Sequence, residues 1–175
     1  ERKKTETAMR NMAYHDSLTG LPNRILFNDR LEMTLAKGKR SKQKCAVLYI
    51  DFDGFKNIND TLGHNVGDLL LESMSARLKS CLREEDTVAR LGGDEFVLIL
   101  PKINSREDAG VLAKKLLETT RPAFMIEGNE IKITLSIGIS LSPEDGDTVK
   151  ILIKKADDAL YKAKNGGRDC YKFYN

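Results

Sequence analysis

The sequence predicts an α+β domain built on a ferredoxin-like sheet with split βαβ connectivity, extra helices and strands, and an N-terminal linker helix. Three observations predict it. Apolar residues recur at helical and strand spacing in the order helix, strand, helix, hairpin, helix, strand, helix, strand. One strand pattern is apolar throughout, as in a strand covered on both faces. The 175 residues, 41% of them apolar, are enough for a single packed core.

The N-terminal region predicts two helices. Residues 1–14 are charged and helix-prone, and we expect them to end a linker helix that arrives from an upstream module. A turn follows at Gly20 and Pro22, and Pro22 is expected to open the second helix. Gly38 is expected to end that helix. Its apolar stripe consists of Ile25, Leu26, Leu31 and Leu35.

The continuous apolar run 45–50 predicts a strand buried on both faces, and it ends abruptly at Asp51, Phe52 and Asp53. Because side chains alternate along a strand, Asp51 and Asp53 are expected to point the same way. Carboxylates at the end of a central strand lie where α/β sheets place their sites. A short helix over 54–59 and a longer one over 66–82 are expected to follow.

A second acidic turn lies at Gly92, Gly93, Asp94 and Glu95, between the strand patterns 88–91 and 96–100. The glycines tolerate positive φ, so the pattern predicts a β-hairpin with both acids at its tip. Adjacent carboxylates repel each other, and a hard cation such as Mg²⁺ relieves that repulsion through oxygen ligands. Taken alone, this motif favours a solvated hairpin tip.

The C-terminal half predicts three further elements. Ser105 and Asp108 form a capping-box pattern before a helix. Gly128-Asn129 is expected to join strands over 123–127 and 131–140 in a hairpin. Asp147 or Thr148 is expected to cap a last helix that ends at Gly166-Gly167, before a short strand over 170–174.

Composition argues against several other classes. The basic run 37–44 lacks interleaved aromatic residues, so we expect a solvated loop and no nucleic-acid partner. His15 and His64 are too far apart to suggest a zinc site. No segment has the length and hydropathy of a membrane span, and no signal peptide opens the chain, so a cytoplasmic domain with three reduced cysteines is expected. A membrane attachment would lie outside this sequence.

In the predicted sheet, the strand ending at Asp51 and the hairpin carrying Asp94 are neighbours. Two acidic turns that meet at one edge describe a two-metal site for phosphoryl or nucleotidyl transfer. This pairing favours the metal-site hypothesis over a solvated tip.

Six motifs, in order, resemble the GGDEF domain family of diguanylate cyclases, whose sheet is of the nucleotidyl-cyclase type, and the resemblance covers about residues 15–173. Residues 1–14 are then the linker helix and 15–175 the domain. The motifs are Asp16-Ser17-Leu18-Thr19-Gly20-Leu21-Pro22-Asn23-Arg24, Asp51-Phe52-Asp53-Gly54-Phe55-Lys56-Asn57-Ile58-Asn59-Asp60, Gly63-His64-Asn65-Val66-Gly67-Asp68, Gly92-Gly93-Asp94-Glu95-Phe96, Ser136-Ile137-Gly138-Ile139 and Ala156-Asp157-Asp158-Ala159-Leu160-Tyr161.

The resemblance implies condensation of two GTP molecules into cyclic di-GMP with release of two pyrophosphates, across a homodimer in which each subunit holds one GTP. It implies two Mg²⁺ (or Mn²⁺) ions per active site, held by Asp51, the carbonyl of Phe52, Asp94 and Glu95. Asp94 and Glu95 are the implied catalytic residues, with Asp94 as general base or its metal-borne equivalent. An upstream sensor domain is the implied source of regulation.

The resemblance assigns the substrate contacts as well. Asn59 and Asp68 would recognise guanine, whose N–H donors suit a carboxylate acceptor. From the residues alone, a helix-end cap is the favoured role of Asn59 and a first-turn acid that of Asp68. His64 either touches the base or caps a helix. The β- and γ-phosphates would be bound by Lys56, Lys164 and Arg168.

Arg83 and Asp86 match the family's R-x-x-D inhibitory site for the product; without the resemblance they describe an exposed polar turn. Two other functions stay open. One is a catalytically silent module that binds GTP or cyclic di-GMP. The other is a different metal-dependent nucleotidyl cyclase, against which Asn59 and Asp68 argue.

Overall fold

A computed structural model describes all residues, 1–175, as six helices and seven strands. The helices are α1 Arg2–Tyr14, α2 Arg24–Ser41, α3 Phe55–Leu62, α4 His64–Ser80, α5 Arg106–Thr120 and α6 Val149–Asn165. The strands are β1 Lys44–Asp53, β2 Thr87–Gly92, β3 Glu95–Ile103, β4 Phe124–Ile126, β5 Asn129–Ile131, β6 Thr134–Ser142 and β7 Tyr171–Phe173.

The main sheet has the order β2-β3-β1-β6-β7, with β1 at its centre. β1 pairs antiparallel with β3 and with β6, and β7 is added in parallel at the edge. The four antiparallel strands are ordered as in a ferredoxin-like sheet, so the predicted fold class is confirmed. The N-terminal helix is also present.

Side chains of β1 alternate between two apolar clusters, as the pleat requires. Leu48 and Ile50 belong to the larger cluster, to which α4 and α5 contribute. Val47 and Tyr49 belong to the smaller cluster, which also contains residues of α2 and α6. β1 is therefore covered on both faces, as its apolar run predicts.

Gly138 of β6 allows α6 to pack directly on the sheet. A Cβ at this position would lie 2.1 Å from the carbonyl oxygen of Ala156 and 2.2 Å from the amide nitrogen of Leu160. Any side chain here would push α6 away from the sheet. This close approach fixes the last turn of α6, and with it Lys164, relative to β1.

Two predictions about α2 are wrong. The helix continues past Gly38 to Ser41 because Lys42 supplies the left-handed C-cap, at φ 54°, and donates its N–H to the carbonyl of Gly38. Pro22 does not open the helix, since Asn23 is the N-cap and accepts from the Leu26 N–H. Ile25 is exposed, and Phe27 is the buried residue of the first turn.

The hairpin predicted across 123–140 divides in two. β4 and β5 form a separate two-stranded sheet around Glu127 and Gly128, which both take positive φ. β6 begins only at Thr134, where it joins β1 in the main sheet. Both sheets face the same core, so the apolar alternation continues from one to the other. The sequence pattern therefore does not reveal where the first sheet ends and β6 begins.

The boundaries of two further helices differ from the predictions, and one predicted capping hydrogen bond is absent. The short helix extends to Leu62, and the following helix is shifted to His64–Ser80. Ser105 makes no capping hydrogen bond, and Asp108 instead accepts from the Asn104 N–H. Thr148 caps α6 as expected, accepting from Ile151.

The turn between α1 and α2 is fastened to the hairpin β2–β3 through Asp16 and Arg90. One carboxylate oxygen of Asp16 accepts from the N–H and hydroxyl of Thr19, and the other accepts from Arg90 at 2.9 Å. Arg90 also donates to the carbonyl of Gly93, 2.9 Å away, at the hairpin tip. The side chains of both partners are largely buried, at 13% and 15% exposure, so this pair is poorly screened by solvent.

None of the six helices combines the length and apolar character that spanning a bilayer requires. Of the three cysteines, Cys45 and Cys81 are buried and Cys170 is half-buried.

We predict that Asp16→Asn lowers the free energy of unfolding at neutral pH by about 1–2 kcal/mol, because a charged hydrogen-bond acceptor is lost from Arg90. Burial opposes ionisation of Asp16, but bonds from Thr19 and Arg90 outweigh it and hold the pKa below 3.8. The stabilisation is therefore present above about pH 4 and is lost as pH falls through the lower, folded-state pKa. Denaturant unfolding curves recorded between pH 3 and 7 measure this contribution to the free energy of unfolding.

The control is Asp29→Asn on α2, an exposed residue without an ion pair. If Asp16→Asn and Asp29→Asn unfold alike across this pH range, the Asp16–Arg90 pair contributes nothing to stability.

Candidate active site

The end of β1 and the tip of the hairpin β2–β3 meet at one edge of the sheet. In the β1–β3 register Asp51 lies directly opposite Glu95, a pairing that brings Cβ atoms to within about 4.5–5.5 Å. Asp94 occupies the two-residue loop just before Glu95, beside Gly93 at φ 50°. Asp94 alone is at the tip, whereas Glu95 already belongs to β3.

The carboxylates of Asp51 and Asp94 lie next to each other. Burial raises the pKa of Asp94 to about 7; the adjacent Asp51 carboxylate adds to the shift, and Lys164 opposes it. Acids from two separate turns thus converge, as the sequence pattern predicts. The pKa shift reflects the cost of holding two negative charges together in a partly buried place.

Asp51 has one oxygen bound and one free. Its Oδ2 accepts from the ammonium group of Lys164, in the last turn of α6. Its Oδ1 is buried and has no hydrogen-bond partner. A buried acceptor without a partner, beside a second carboxylate, is the donor set that a hard divalent cation prefers. Asp51 and Asp94 therefore offer the oxygen donors that Mg²⁺ or Mn²⁺ takes, without a third acid beside them.

Glu95 is not grouped with the other two acids. No three His, Cys, Asp or Glu side chains converge in a way that could hold a metal ion. Burial raises the pKa of the Tyr49 phenol, and the charge of the nearby Glu95 carboxylate adds to that rise.

Asp53 points to the same face as Asp51, but both of its carboxylate oxygens already accept hydrogen bonds within the protein. Its oxygens accept from the hydroxyls of Thr134 and Ser136, at 2.7 and 2.6 Å, and from the N–H of Asp169 at 3.1 Å. It fastens the turn after α6, which carries the exposed Arg168, to the end of β1.

Aromatic packing fixes the position of β1 relative to the hairpin. The Phe52 ring is buried and stacks on Phe96 with 5.2 Å between centroids, and Phe55 meets it edge-on at 5.9 Å. Phe52 follows Asp51, and Phe96 follows Glu95, so this stack holds the two acidic turns in register.

A second pair of predicted residues meets between α3 and α4. The Oδ1 atom of Asn59 is buried without a hydrogen-bond partner, and it lies directly over Gly67. A Cβ at Gly67 would come within 1.8 Å of that oxygen. Because Asp68 follows Gly67, the fold brings Asn59 and Asp68 to one place.

The alternative roles for these residues are not observed. The C-cap of α3 is closed by the N–H of Gly63 on the main-chain oxygen of Asn59, so the Asn59 side chain is not a cap. Asp68 is the fifth residue of α4, beyond its first turn. His64 is exposed, and the N-cap is Gly63, so His64 is not a cap.

The predicted phosphate-binding side chains differ in setting. Lys56, on the first turn of α3, is exposed and forms no ion pair. Lys164 is partly buried and bound to Asp51. Arg168 lies in the turn after α6, and of the three cations only Lys164 contacts an acid.

Arg83 and Asp86 form a closed turn before β2. The Asp86 carboxylate accepts from the Arg83 N–H at 2.9 Å, and the Asp86 N–H bonds to the carbonyl of Arg83. Burial raises the pKa of Asp86, and the Arg83 N–H opposes that rise. The Arg83 guanidinium is exposed and makes no ion pair with the neighbouring acids, so the turn is not a surface ion cluster.

A family model described as diguanylate cyclase, GGDEF domain, matches residues 13–170. The chain belongs to the GGDEF domain family.

Known relatives agree with this assignment. MucR of Pseudomonas aeruginosa, a bifunctional diguanylate cyclase/cyclic di-GMP phosphodiesterase, is 47% identical over 93% of this chain and 24% of its own length. The solved GGDEF domain of TpbB, from the same organism, has a TM-score of 0.90 at 41% identity and covers 93% of this chain and 95% of its own. DgcB of Caulobacter crescentus, solved with cyclic di-GMP, has a TM-score of 0.88 at 25% identity and covers 98% and 91%.

The chain spans only part of its full-length relatives. It covers 24% of MucR and 37% of the full TpbB, which is named a diguanylate cyclase. The region that the GGDEF family model matches, residues 13–170, includes the edge of the sheet at which Asp51 and Asp94 meet.

Sequence reasoning missed the structural roles of Asp53 and Arg90 in this GGDEF domain. Arg90 links the turn at Asp16 to the carbonyl of Gly93. A basic residue just before a Gly-Gly turn is a detectable signal, but its partner is 74 residues away in sequence.

A groove of the GGDEF domain lies elsewhere. It has a volume of about 1240 Å³ and runs between α2 and α6, with Leu35, Cys45 and Ile153 among its apolar residues. None of the predicted metal, substrate or inhibitory residues lines it. The predicted chemistry is at an open edge of the sheet, where a nucleotide would be held between surfaces.

Proposed function

We propose that this domain is a diguanylate cyclase that condenses two GTP molecules into cyclic di-GMP and releases two pyrophosphates. The observation that carries the proposal is the convergence of Asp51 and Asp94 from two separate turns, with one buried carboxylate oxygen left unpaired. Membership of the GGDEF family supports the substrate and product.

The metal site is proposed to consist of Asp51, Asp94, Glu95 and the main-chain carbonyl of Phe52, holding two Mg²⁺ (or Mn²⁺) ions. When bound, such ions neutralise the triphosphate and lower the pKa of the attacking ribose hydroxyl. The unpaired Oδ1 of Asp51 and the proximity of Asp94 support these two residues as ligands. Glu95 and the Phe52 carbonyl are proposed from the family resemblance.

In the proposed reaction the 3′-hydroxyl of one GTP attacks the α-phosphate of the other. The new P–O bond forms as the bond to pyrophosphate breaks, and the hydroxyl proton passes to Asp94. Asp94 suits this role because it is at the hairpin tip, where a second nucleotide can approach. The second P–O bond forms in the same way with the roles of the two nucleotides exchanged, which closes the ring and releases the second pyrophosphate.

Guanine is proposed to bind at Asn59 and Asp68. The Watson–Crick edge of guanine offers N–H donors, and the free Oδ1 of Asn59 and the exposed carboxylate of Asp68 are acceptors. Adenine would leave those acceptors unpaired, at a cost of about 1–3 kcal/mol. His64 lies near enough in sequence to add a contact to the base.

The β- and γ-phosphates are proposed to bind Lys56, Lys164 and Arg168, with main-chain N–H groups of residues 53–55. Gly54, at φ 81°, opens α3, whose N-terminal N–H groups favour an anion. The Lys164–Asp51 contact supports this role, because it brings the ammonium group to a proposed metal ligand.

Activity is proposed to require a homodimer in which two such edges face each other, because one GTP supplies the hydroxyl and the other the phosphate. α1 has no buried residue, and its exposed Met9 and Met12 suit packing against a second copy or coupling to an upstream sensor domain.

The test is chromatography of purified protein with GTP and Mg²⁺. We expect cyclic di-GMP and pyrophosphate, in low yield for the monomer and in higher yield when a dimeric coiled coil is fused before α1. Unreacted GTP from the fused dimer would favour the alternative, a silent GTP- or cyclic di-GMP-binding module.

We predict that Asp94→Asn lowers product formation by 10³-fold or more while GTP binding survives in part, because the amide keeps the size but neither accepts the proton nor ligates a cation well. Single-turnover assays and calorimetric GTP titrations separate the two effects. The control is Asp158→Asn, an exposed acid on α6; equal turnover by both variants contradicts the assignment.

We predict that Gly67→Ala weakens GTP binding about tenfold, because the new Cβ displaces the Asn59 amide from the proposed guanine site. The control is Gly110→Ala on α5, where the nearest atom to a Cβ is the Tyr171 hydroxyl at 3.4 Å. Titration with GTP and ATP measures the effect. Unchanged GTP affinity in a folded Gly67→Ala variant would remove Asn59 from the site.

We predict that Arg83→Ala raises the concentration of cyclic di-GMP needed for half-inhibition by tenfold or more. The exposed guanidinium is the group suited to guanine and phosphate, and its main-chain bonds to Asp86 survive the substitution. Glu84→Ala, on the same turn, is the control. If inhibition by the product is the same in both variants, the inhibitory site lies elsewhere.

A further inference from the structure

The turn after α6 contains three successive residues at positive φ. Gly167 has a φ of 112°, Arg168 of 63° and Asp169 of 45°. A glycine adopts such angles freely, but residues that carry a Cβ are strained there. Strain of this kind persists only where the surrounding structure imposes the conformation. Contacts from outside the turn must therefore hold Arg168 and Asp169 in place.

Asp53, at the end of β1, contacts the peptide group that joins the two strained residues. Its Oδ2 accepts from the N–H of Asp169 at 3.1 Å. That N–H belongs to the same planar peptide unit as the carbonyl of Arg168, so the bond fixes the orientation of this unit. On the other side, the N–H of Arg168 donates to the carbonyl of Ala163 in α6, at 3.1 Å. The main chain of Arg168 is thus held between the helix and the sheet.

The neighbouring strand fixes the Asp53 carboxylate itself. Thr134 lies opposite Asp53 in the β1–β6 pair and donates its hydroxyl to Oδ2, and the buried Ser136 donates to Oδ1. Hydrogen bonds to an ionised acceptor are stronger than neutral ones. Asp51, on the same face, keeps one oxygen without a partner, whereas Asp53 keeps none. The two acids at the end of β1 therefore have different roles.

The other restraint on the turn is weak. Asp169 forms an ion pair with Arg121 at 3.3 Å, but both side chains are partly exposed, so the pair contributes little. The Arg168 guanidinium is exposed and has no ion pair or hydrogen bond within the protein. A restrained main chain with an unengaged charged group suits a ligand-binding residue, because less freedom is lost when the ligand binds.

We propose that Asp53 is a positioning residue, whose carboxylate holds Arg168 in the strained turn that presents its guanidinium to the triphosphate. The inference rests on the proposed function, in which Arg168 binds the β- and γ-phosphates. Asp53 touches neither nucleotide nor metal ion in this role. It acts through the peptide unit between Arg168 and Asp169.

The test is Asp53→Ala. A non-hydrolysable GTP analogue and, separately, GMP displace a fluorescent guanine nucleotide from the protein. We expect the affinity for the GTP analogue to fall about tenfold, as for the loss of one hydrogen bond to a charged group. The affinity for GMP should stay the same, because GMP lacks the β- and γ-phosphates. Equal losses for both nucleotides would show a general loss of structure and overturn the proposal.

Two further variants are matched to this test. Asp145→Ala removes a carboxylate that accepts the N–H of Leu141 at 2.7 Å, in the turn between β6 and α6, and should change neither affinity. Asp53→Asn should restore most of the affinity for the GTP analogue, because the amide oxygen can accept from the Asp169 N–H. If Asn is as weak as Ala, the charge of Asp53 acts directly on the bound ligands and the positioning role is wrong.

If Asp53→Ala does not fold, Ser136→Ala takes its place, since it removes one hydroxyl donor and leaves the Asp53 carboxylate less restrained. A smaller loss, confined to the GTP analogue, is expected. An unchanged ratio of the two affinities would overturn the proposal.

A double-mutant cycle separates this inference from the proposed phosphate site. In an Arg168→Ala background, adding Asp53→Ala should leave the affinity unchanged, because there is no guanidinium to position. An equal additional loss would overturn the proposal. If Arg168→Ala weakens binding of the GTP analogue and Asp53→Ala does not, the role of Asp53 is wrong and the phosphate site stands. If Arg168→Ala itself has no effect, the phosphate site fails and the inference fails with it.

Discussion

Two carboxylates held side by side at the edge of a sheet are the constraint on which this domain depends. Asp51 and Asp94 repel each other, and burial strengthens that repulsion, as the raised pKa of Asp94 shows. A fold that places them together must do so with rigid supports. The supports are the β1–β3 register, the Phe52–Phe96 stack and the anchoring of the hairpin tip by Arg90.

Each support acts on a different degree of freedom. The register sets the position of the hairpin along β1, since a slip by one residue would move Glu95 to the opposite face. The aromatic stack holds the two strand ends against each other from the core side. Arg90 restrains the Gly92–Gly93 turn from outside, through a bond to the Gly93 carbonyl and an ion pair with Asp16. The glycines alone would leave that turn mobile.

Much of this arrangement follows from the sequence, and the exceptions have physical causes. The apolar run before Asp51 and the Gly-Gly turn before Asp94 are local signals, so the strands and their meeting point are predictable. Arg90 and Asp53 act through partners 74 and 81 or more residues away, and spacing carries no information about such pairs. The Asn59–Gly67 contact joins residues close in sequence but on two different helices, α3 and α4, so the spacing along either helix does not reveal it. The end of α2 was misplaced because Lys42, and not Gly38, adopts the left-handed conformation.

The position of Lys164 links the stability of this edge to its proposed chemistry. Its ammonium group neutralises part of the charge that Asp51 and Asp94 bring together, so the protein supplies one cation of its own. Gly138 lets α6 lie close enough for that contact, because a larger residue would lift the helix. A flexible lysine suits this place better than an arginine would. A lysine ammonium group is a point charge on a mobile stem, able to exchange a carboxylate for a phosphate oxygen without a fixed bidentate geometry. The same residue can therefore balance the acids before a nucleotide arrives and bind the phosphates afterwards.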